Sequence, residues 1–167
     1  KYWYASRKID GVRCSFYYKD GEILSASRGG GNYDYSTSHI RNNERLLEFF
    51  RNHPTYILDG ELYRHGKSLQ QISGAARLEK NAVDCDWLEY YVYDIMIPSM
   101  KFSDRLEILK QLQKELNLGF NPDKDWEEGE LQLQIVPQEK VSGYENIMKL
   151  HNQYVSEGWE GVVCRNP

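Results

Sequence analysis

The sequence has no apolar run approaching the ~20 residues that a membrane-spanning helix needs, and it opens without the basic and apolar regions of a signal peptide. It also has no internal repeat, no low-complexity tract and no linker rich in glycine and serine. These absences exclude membrane-spanning and disordered classes of protein. We expect one domain of 167 residues that acts in the cytoplasm and does not contact membranes.

Cysteine is scarce, and Cys14, Cys85 and Cys164 lie far apart with no Cys-x-x-Cys spacing. A zinc site needs clustered ligands, and a disulfide framework needs cysteines in closely spaced sets. Neither kind of site is predicted here. Cysteine usage of this kind is typical of a reducing cytosol.

Positive charge is also in short supply, because 21 lysines and arginines face 25 aspartates and glutamates, a net charge of −4. Such a balance argues against a partner that is a polyanion. The whole excess, however, lies in residues 123–130, which hold five acids and one lysine. Residues 1–28 hold six cations and three acids. The sequence therefore combines a mildly basic amino-terminal segment with one acidic segment.

Strand-like alternation and helical periodicity are interspersed along the chain, and turn signals such as Asp20-Gly21 join neighbouring strands. Short turns favour antiparallel pairing, so we predict an α+β fold with largely antiparallel sheets flanked by helices. Ile40, Leu47 and Phe50 are expected to share one face of the first helix. The predicted helices include residues 40–50, 69–77, 106–116 and 144–154, and the predicted strands cover residues 3–8, 12–19, 22–27, 56–63, 88–97, 131–136 and 161–165.

The most unusual segment places Lys8 between Arg7 and Arg13, with Asp10 two residues further on and a glycine at position 11. On an extended chain, Lys8 and Asp10 share a side. Two neighbouring guanidinium groups favour the uncharged form of a lysine amine, which is the nucleophilic form. The segment is therefore a candidate for covalent catalysis, although a strand end with solvated charges is the commoner use of such a pattern.

Asp59 and Glu61 lie two residues apart on a predicted strand. Alternation puts both carboxylates on one face of that strand and Leu58 and Leu62 on the core face. Paired carboxylates on a sheet can accept hydrogen bonds from a ribose or hold a hard cation. The commoner interpretation is an exposed polar face.

Tyr93, Glu160 and Arg28 complete the candidates. Alternation puts Tyr93 on the face opposite Asp94, and an aromatic ring beside a polar cleft suits stacking on a nucleobase. Glu160 lies among glycines at the start of the last strand, where it could bind a metal held by phosphates. The alternatives are core packing for Tyr93, a helix cap and turn around Glu160, and a solvated cation for Arg28.

Taken jointly and in this order, these segments resemble the nucleotidyltransferase domain of ATP-dependent DNA ligases, whose superfamily includes RNA ligases and mRNA capping enzymes. The resemblance covers residues 6–167, nearly the whole chain. The matching elements are Lys8–Arg13 (K-x-D-G-x-R), Ser27–Gly29 (an arginine segment), Asp59–Glu61 (D-G-E), Tyr93 (an aromatic position that is often Phe), Arg105 (an arginine position) and Glu160–Val163 (E-G-[VI]-[VM]).

The resemblance implies an ATP-grasp-like fold and an enzyme that forms a covalent Lys8-AMP intermediate from ATP with Mg²⁺ or Mn²⁺. It then passes AMP to the 5′-phosphate of nicked double-stranded DNA, so that the break can be sealed. The resemblance also implies the site residues: Lys8 as nucleophile, Ser6, Arg13, Arg28, Glu61 and Tyr93 on the nucleotide, and Glu160, Asp10 and Asp59 on the metal.

Two elements of the family, a Lys-x-Lys strand and a carboxy-terminal OB-fold, do not occur in the sequence. We therefore expect residues 1–167 to be an adenylation domain truncated before both elements, poorly active alone. We expect it to be monomeric, to come from a bacterial or phage-infected cell, and to hold residues 123–130 away from the nucleotide. An RNA ligase, a GTP-dependent capping enzyme and a non-catalytic nucleotide- or DNA-binding module stay open as alternatives.

Overall fold

The computed structural model describes all 167 residues and contains eight strands and five helices. The longest helix has 14 residues, so none could cross a bilayer. The strands are β1 (Trp3–Arg7), β2 (Val12–Lys19), β3 (Glu22–Ser27), β4 (Ile57–Tyr63), β5 (Glu89–Met96), β6 (Leu133–Ile135), β7 (Glu139–Val141) and β8 (Val162–Arg165). The helices are α1 (Ser38–Arg41), α2 (Glu44–Asn52), α3 (Leu69–Ala76), α4 (Phe102–Glu115) and α5 (Tyr144–Ser156), with a single 3₁₀ turn at Ala82–Asp84.

The strands form two sheets. One has five strands in the order β3, β2, β4, β5 and β6, and the other has three in the order β7, β1 and β8. All neighbours pair antiparallel except β5 and β6. The predicted α+β fold with largely antiparallel sheets is therefore confirmed. Only residues 8–11 separate β1 in the small sheet from β2 in the large one.

The helices bury their apolar faces against these sheets. α2 and α3 pack on β2, α4 packs on β5, and α5 packs on β1 and β8. Leu106, Leu109 and Leu112 of α4 are buried, as their helical spacing predicts. On the large sheet, the rings of Phe16 in β2 and Tyr90 in β5 lie 4.2 Å apart and are fully buried. The core fixes the large sheet, which supplies half of the residues that line the cleft described below.

Two helices differ from their predictions. The first predicted helix is split into α1 and α2, because the Asn43 side chain accepts hydrogen bonds from the backbone amides of Arg45 and Leu46 and caps a new helix. The split also makes Leu46 fully buried and leaves Leu47 half-buried. Tyr144 starts α5 with its ring 76% exposed, so it does not face the core.

Gly11 and Gly60 allow neighbouring strands to approach more closely than any side chain would permit. A Cβ on Gly11 would collide with the carbonyl oxygen of Leu62, and a Cβ on Gly60 would collide with that of Tyr91. The glycines of the first two motifs therefore serve the packing of β4 between its neighbours. This packing sets the spacing of the strands that carry the cleft residues.

Candidate active site

A cleft of about 270 Å³ opens between the two sheets. The small sheet contributes residues from β1, the following connection and β8, and the large sheet contributes residues from β2, β4 and β5. A larger cavity of about 640 Å³ lies beside α2 and the acidic segment and contains none of the predicted site residues. The smaller cleft is lined by Arg7, Lys8, Ile9, Arg13, Asp59, Glu61, Tyr93, Asp94, Val163 and Arg165.

Lys8 lies immediately after β1, at the edge of the cleft. Its backbone amide donates a hydrogen bond to the Gly161 carbonyl (2.9 Å), which continues the pairing of β1 with β8. This pairing brings Glu160 close, and its carboxylate oxygen lies 3.5 Å from the Lys8 Nζ. Both side chains are about half exposed, at 53% and 46%. The Lys8 amine is thus accessible and only loosely held.

Arg13 and Asp59 form a close ion pair on the opposite side of the cleft. Arg13 donates from Nε and Nη2 to the two carboxylate oxygens of Asp59, at 3.1 and 2.7 Å. The Asp59 side chain is only 5% exposed, and the pair raises the pKa of the Arg13 guanidinium. Both oxygens of Asp59 therefore already accept hydrogen bonds from Arg13, which holds the guanidinium at the cleft.

Glu61 lies beside this pair, because Arg13 and Glu61 are direct partners in the β2–β4 register. The Tyr93 hydroxyl donates a hydrogen bond to the Glu61 carboxylate (3.1 Å). Burial raises the pKa of Glu61 from 4.5 to about 7, although the bond from Tyr93 and the charge of Arg13 oppose that rise. As predicted, Asp59 and Glu61 share the cleft face, and Leu58 and Leu62 are buried in the core.

Tyr93 and Asp94 both line the cleft, so the predicted placement on opposite faces is wrong. The physical reason is a bulge in β5: Asp59 pairs with Asp94, whereas the next residue, Gly60, pairs with Val92. Tyr93 is the extra residue, and a bulge interrupts the alternation of side chains. The bulge turns the Tyr93 ring into the cleft beside Glu61.

Arg165 also lines the cleft, although the sequence analysis did not select it. Its guanidinium lies over the Tyr93 ring, 5.0 Å from the centroid, and donates a hydrogen bond to the Ser6 hydroxyl (2.9 Å). Burial lowers the pKa of this guanidinium. The sequence did contain a signal for Arg165, because Val163 and Arg165 alternate onto the same face of β8.

Four predicted residues do not line the cleft, and one of them, Glu160, lies just outside it beside Lys8. Asp10 is exposed and takes part in no hydrogen bond or ion pair, because the chain turns out of β1 before it reaches this position. Arg28 is exposed one residue beyond β3, whose pairing with β2 ends at Ser27 opposite Cys14. Ser6 is buried in β1 and touches the cleft only through Arg165.

A family model for the ATP dependent DNA ligase domain matches residues 1–167. The chain belongs to this family. The DNA ligase of African swine fever virus (isolate Pig/Kenya/KEN-50/1950) is 30% identical over 161 residues, which are 96% of this chain and 35% of the viral protein. This ligase domain therefore spans about a third of the length of the curated relatives it matches.

Solved structures share the fold of this ligase domain. The Chlorella virus DNA ligase-adenylate has a TM-score of 0.65 and 24% identity, over 99% of this chain and 53% of that one. An archaeal ATP-dependent RNA ligase has a TM-score of 0.64 and 18% identity, over 99% of this chain and 40% of that one. DNA and RNA ligases thus share this fold, and at these identities the likeness shows the fold alone.

Few carboxylates of the ligase domain are placed to bind a metal ion. No group of three histidine, cysteine, aspartate or glutamate side chains is arranged to hold an ion. Asp59 is paired with Arg13, and of the two predicted carboxylates outside the cleft lining only Glu160 lies beside Lys8. One carboxylate fits Mg²⁺, since this ion is commonly bound by one or two carboxylates together with substrate phosphates and water.

Proposed function

We propose that this chain is the adenylation domain of an ATP-dependent DNA ligase. The observation that carries the proposal is the cleft itself, in which an accessible Lys8 amine faces Glu61, Arg13 and Tyr93 across the gap between the sheets. A nucleotide placed there meets a nucleophile on one side and an aromatic ring, a carboxylate and a guanidinium on the other. Family membership implies that the nucleotide is ATP.

In the proposed first step, the Lys8 Nζ bonds to the α-phosphorus of ATP, and the bond from that phosphorus to the bridging oxygen breaks. Pyrophosphate leaves, the amine releases its proton, and AMP stays on Lys8 as a phosphoramidate. AMP then passes to the 5′-phosphate at a nick, and the adjacent 3′-hydroxyl displaces it to form the phosphodiester. Phosphoryl chemistry of this kind depends mainly on position and charge neutralisation.

The proposed roles divide between the two sheets. Tyr93 stacks on adenine, and Glu61 accepts hydrogen bonds from the sugar hydroxyls. Arg13 neutralises phosphate charge, and Asp59 holds the Arg13 guanidinium in place. Glu160 would hold Mg²⁺ or Mn²⁺, which supplies further charge neutralisation when bound. Arg28 lies on the loop after β3, and Asp10 lies on the connection before β2. In this proposal they reach the nucleotide or the metal only if these segments move on binding. Ser6 acts through Arg165.

The partner in this proposal is nicked double-stranded DNA, bound by a monomer in the cytoplasm of a bacterial or phage-infected cell. The proposal also places a Lys-x-Lys strand and an OB-fold after residue 167 in the full-length protein. Support comes from the viral DNA ligases, of which this chain matches only about a third. Glu128 and Glu130 of the acidic segment line the separate, larger cavity, and no residue of the segment lines the cleft proposed for the nucleotide.

The test is to incubate the full-length protein with Mg²⁺ and ATP labelled at the α-phosphate. We expect acid-labile label on Lys8, and none on the Lys8→Ala variant. Lys149→Ala, which removes an exposed lysine from α5, should label like the wild type. Equal labelling of Lys8→Ala and the wild type would overturn the mechanism.

The substrate is tested separately. Labelling by GTP in preference to ATP would indicate a capping enzyme instead. Sealing of nicked RNA in preference to nicked DNA would indicate an RNA ligase.

A further inference from the structure

The hydrogen bond between Tyr93 and Glu61 has no part in base stacking, since stacking needs only the ring. The hydroxyl nevertheless points at the one cleft carboxylate that is not already paired with a guanidinium. Glu61 and Tyr93 come from different strands, β4 and β5, and the bulge at Tyr93 brings the two groups together. The contact therefore links the group proposed for the base to the group proposed for the sugar.

Glu61 needs a hydrogen-bond donor that orients its carboxylate before it can accept hydrogen bonds from a sugar in a defined position. A carboxylate side chain can rotate among several positions, and its two oxygens offer about four acceptor sites. Arg13, its neighbour in the register, donates both of its carboxylate contacts to Asp59 and none to Glu61. Tyr93 is the only side chain that donates a hydrogen bond to Glu61, and the backbone of Gly11 is the other donor that favours the ionised carboxylate.

Tyr93 is itself held in place, so it can act as a fixed donor. Its ring is covered on one face by the guanidinium of Arg165, which is anchored to the Ser6 hydroxyl. A donor fixed by packing orients its acceptor at little further cost in side-chain entropy. Removing only the hydroxyl would take away the one side-chain donor to Glu61 without removing the ring on which a base could stack.

We propose that the Tyr93 hydroxyl is a positioning group that fixes the Glu61 carboxylate to accept hydrogen bonds from the sugar hydroxyls, and so sets the preference for ATP over deoxynucleotides. This inference rests on the proposed function, because it assigns the sugar to Glu61. It adds that the aromatic residue contributes to sugar recognition through its hydroxyl. A phenylalanine at this position would stack on a base but could not donate a hydrogen bond to Glu61.

The experiment compares wild type and Tyr93→Phe in the full-length protein. The initial rate of Lys8 labelling is measured against concentration for ATP, 2′-deoxy-ATP and 3′-deoxy-ATP. One lost hydrogen bond to a charged group corresponds to roughly a tenfold change. We expect Tyr93→Phe to reduce the preference for ATP over at least one deoxy analogue by about that factor, chiefly by raising KM for ATP.

Two further readouts separate positioning from a general structural role. Loss of the Tyr93 bond should raise the pKa of Glu61 further, so the fall in ATP use at acid pH should begin at a higher pH. In a Glu61→Gln background, Tyr93→Phe should not change the preference again, because both act through one contact. The matched control is Tyr91→Phe, which removes a hydroxyl beside Glu89 on the same strand, outside the cleft.

The outcomes are distinct. A reduced preference in Tyr93→Phe and an unchanged one in Tyr91→Phe would support the positioning role. Unchanged preferences for both analogues in Tyr93→Phe, with normal labelling by ATP, would overturn the role while leaving the proposed function intact. A wild-type protein that takes no label on Lys8 would overturn the proposed function itself.

Discussion

The large sheet holds Arg13 in a close pair with the buried Asp59, whereas on the small-sheet side Lys8 and Glu160 make a loose contact in which both side chains are half exposed. Arg13 and Asp59 make two hydrogen bonds at 3.1 and 2.7 Å, but Lys8 and Glu160 approach only to 3.5 Å. The difference follows from what each side is proposed to do. Recognition benefits from groups that are fixed in advance, while a nucleophile that accepts and later releases AMP has to move.

The largest effect should come from Glu61, and it should depend on pH. Its pKa is about 7 in the folded protein and near 4.5 otherwise, so folding favours the protonated form. The stability that this group contributes is therefore present below about pH 4.5 and is lost as the pH rises through about 7. Glu61→Gln, which cannot ionise, should gain about 3 kcal/mol relative to the wild type between pH 4.5 and pH 8.

Urea unfolding of both proteins at the two pH values checks this expectation. Glu115→Gln is the control, because Glu115 is exposed at the end of α4 and has no partner there. A stability difference between Glu61→Gln and the wild type that stays constant with pH would contradict the buried, protonated carboxyl.

The second effect concerns the Arg13–Asp59 pair. Asp59→Asn removes the charge that both guanidinium bonds depend on and leaves Arg13 uncompensated beside a buried amide. We expect a loss of about 2 kcal/mol in the free energy of unfolding, together with weaker ATP binding. Asp10→Asn, at an exposed carboxylate without a partner, should change stability by no more than about 0.5 kcal/mol. Equal stability of the two variants would show that the large sheet is not held by this pair.

The smallest effect on stability should come from the small-sheet side. Glu160→Gln breaks only a half-exposed contact with Lys8, so we expect a change within about 0.5 kcal/mol. Its labelling by ATP should nevertheless fall, since Glu160 is the proposed metal ligand. Thermal unfolding of Glu160→Gln and Asp59→Asn measures this difference. If Glu160→Gln were destabilised as much as Asp59→Asn, the contrast between the small-sheet and large-sheet sides of the cleft would be lost.

Much of the cleft was predictable because the motifs lie on regular strands. Asp59 and Glu61 follow simple alternation, and the fold class follows from short turns between strands. Alternation placed Tyr93 on the face opposite Asp94, and only the bulge brings both into the cleft. A bulge depends on the pairing of distant strands, which has no local sequence signal here.

The remaining misses have related causes. Asp10 was expected beside Lys8 by extending β1, but the strand ends at Arg7 and the chain turns toward β2. Arg7 lines the cleft, but its guanidinium, which was expected to act on Lys8, donates to Glu157 at the end of α5 (2.8 Å). The contact between Arg7 and Glu157 joins residues far apart in sequence, which local periodicity does not contain.

The four-residue connection between the sheets has a mechanical consequence. Lys8 is its first residue, so the proposed nucleophile lies at the junction of the two sheets and belongs fully to neither. Its backbone bond to Gly161 ties it to the segment that carries Glu160, so both should travel with the small sheet. A tilt of one layer against the other would carry amine and carboxylate together toward or away from the α-phosphate, while the nucleoside stays on the large sheet. The angle between the layers would then control the distance over which the reaction takes place.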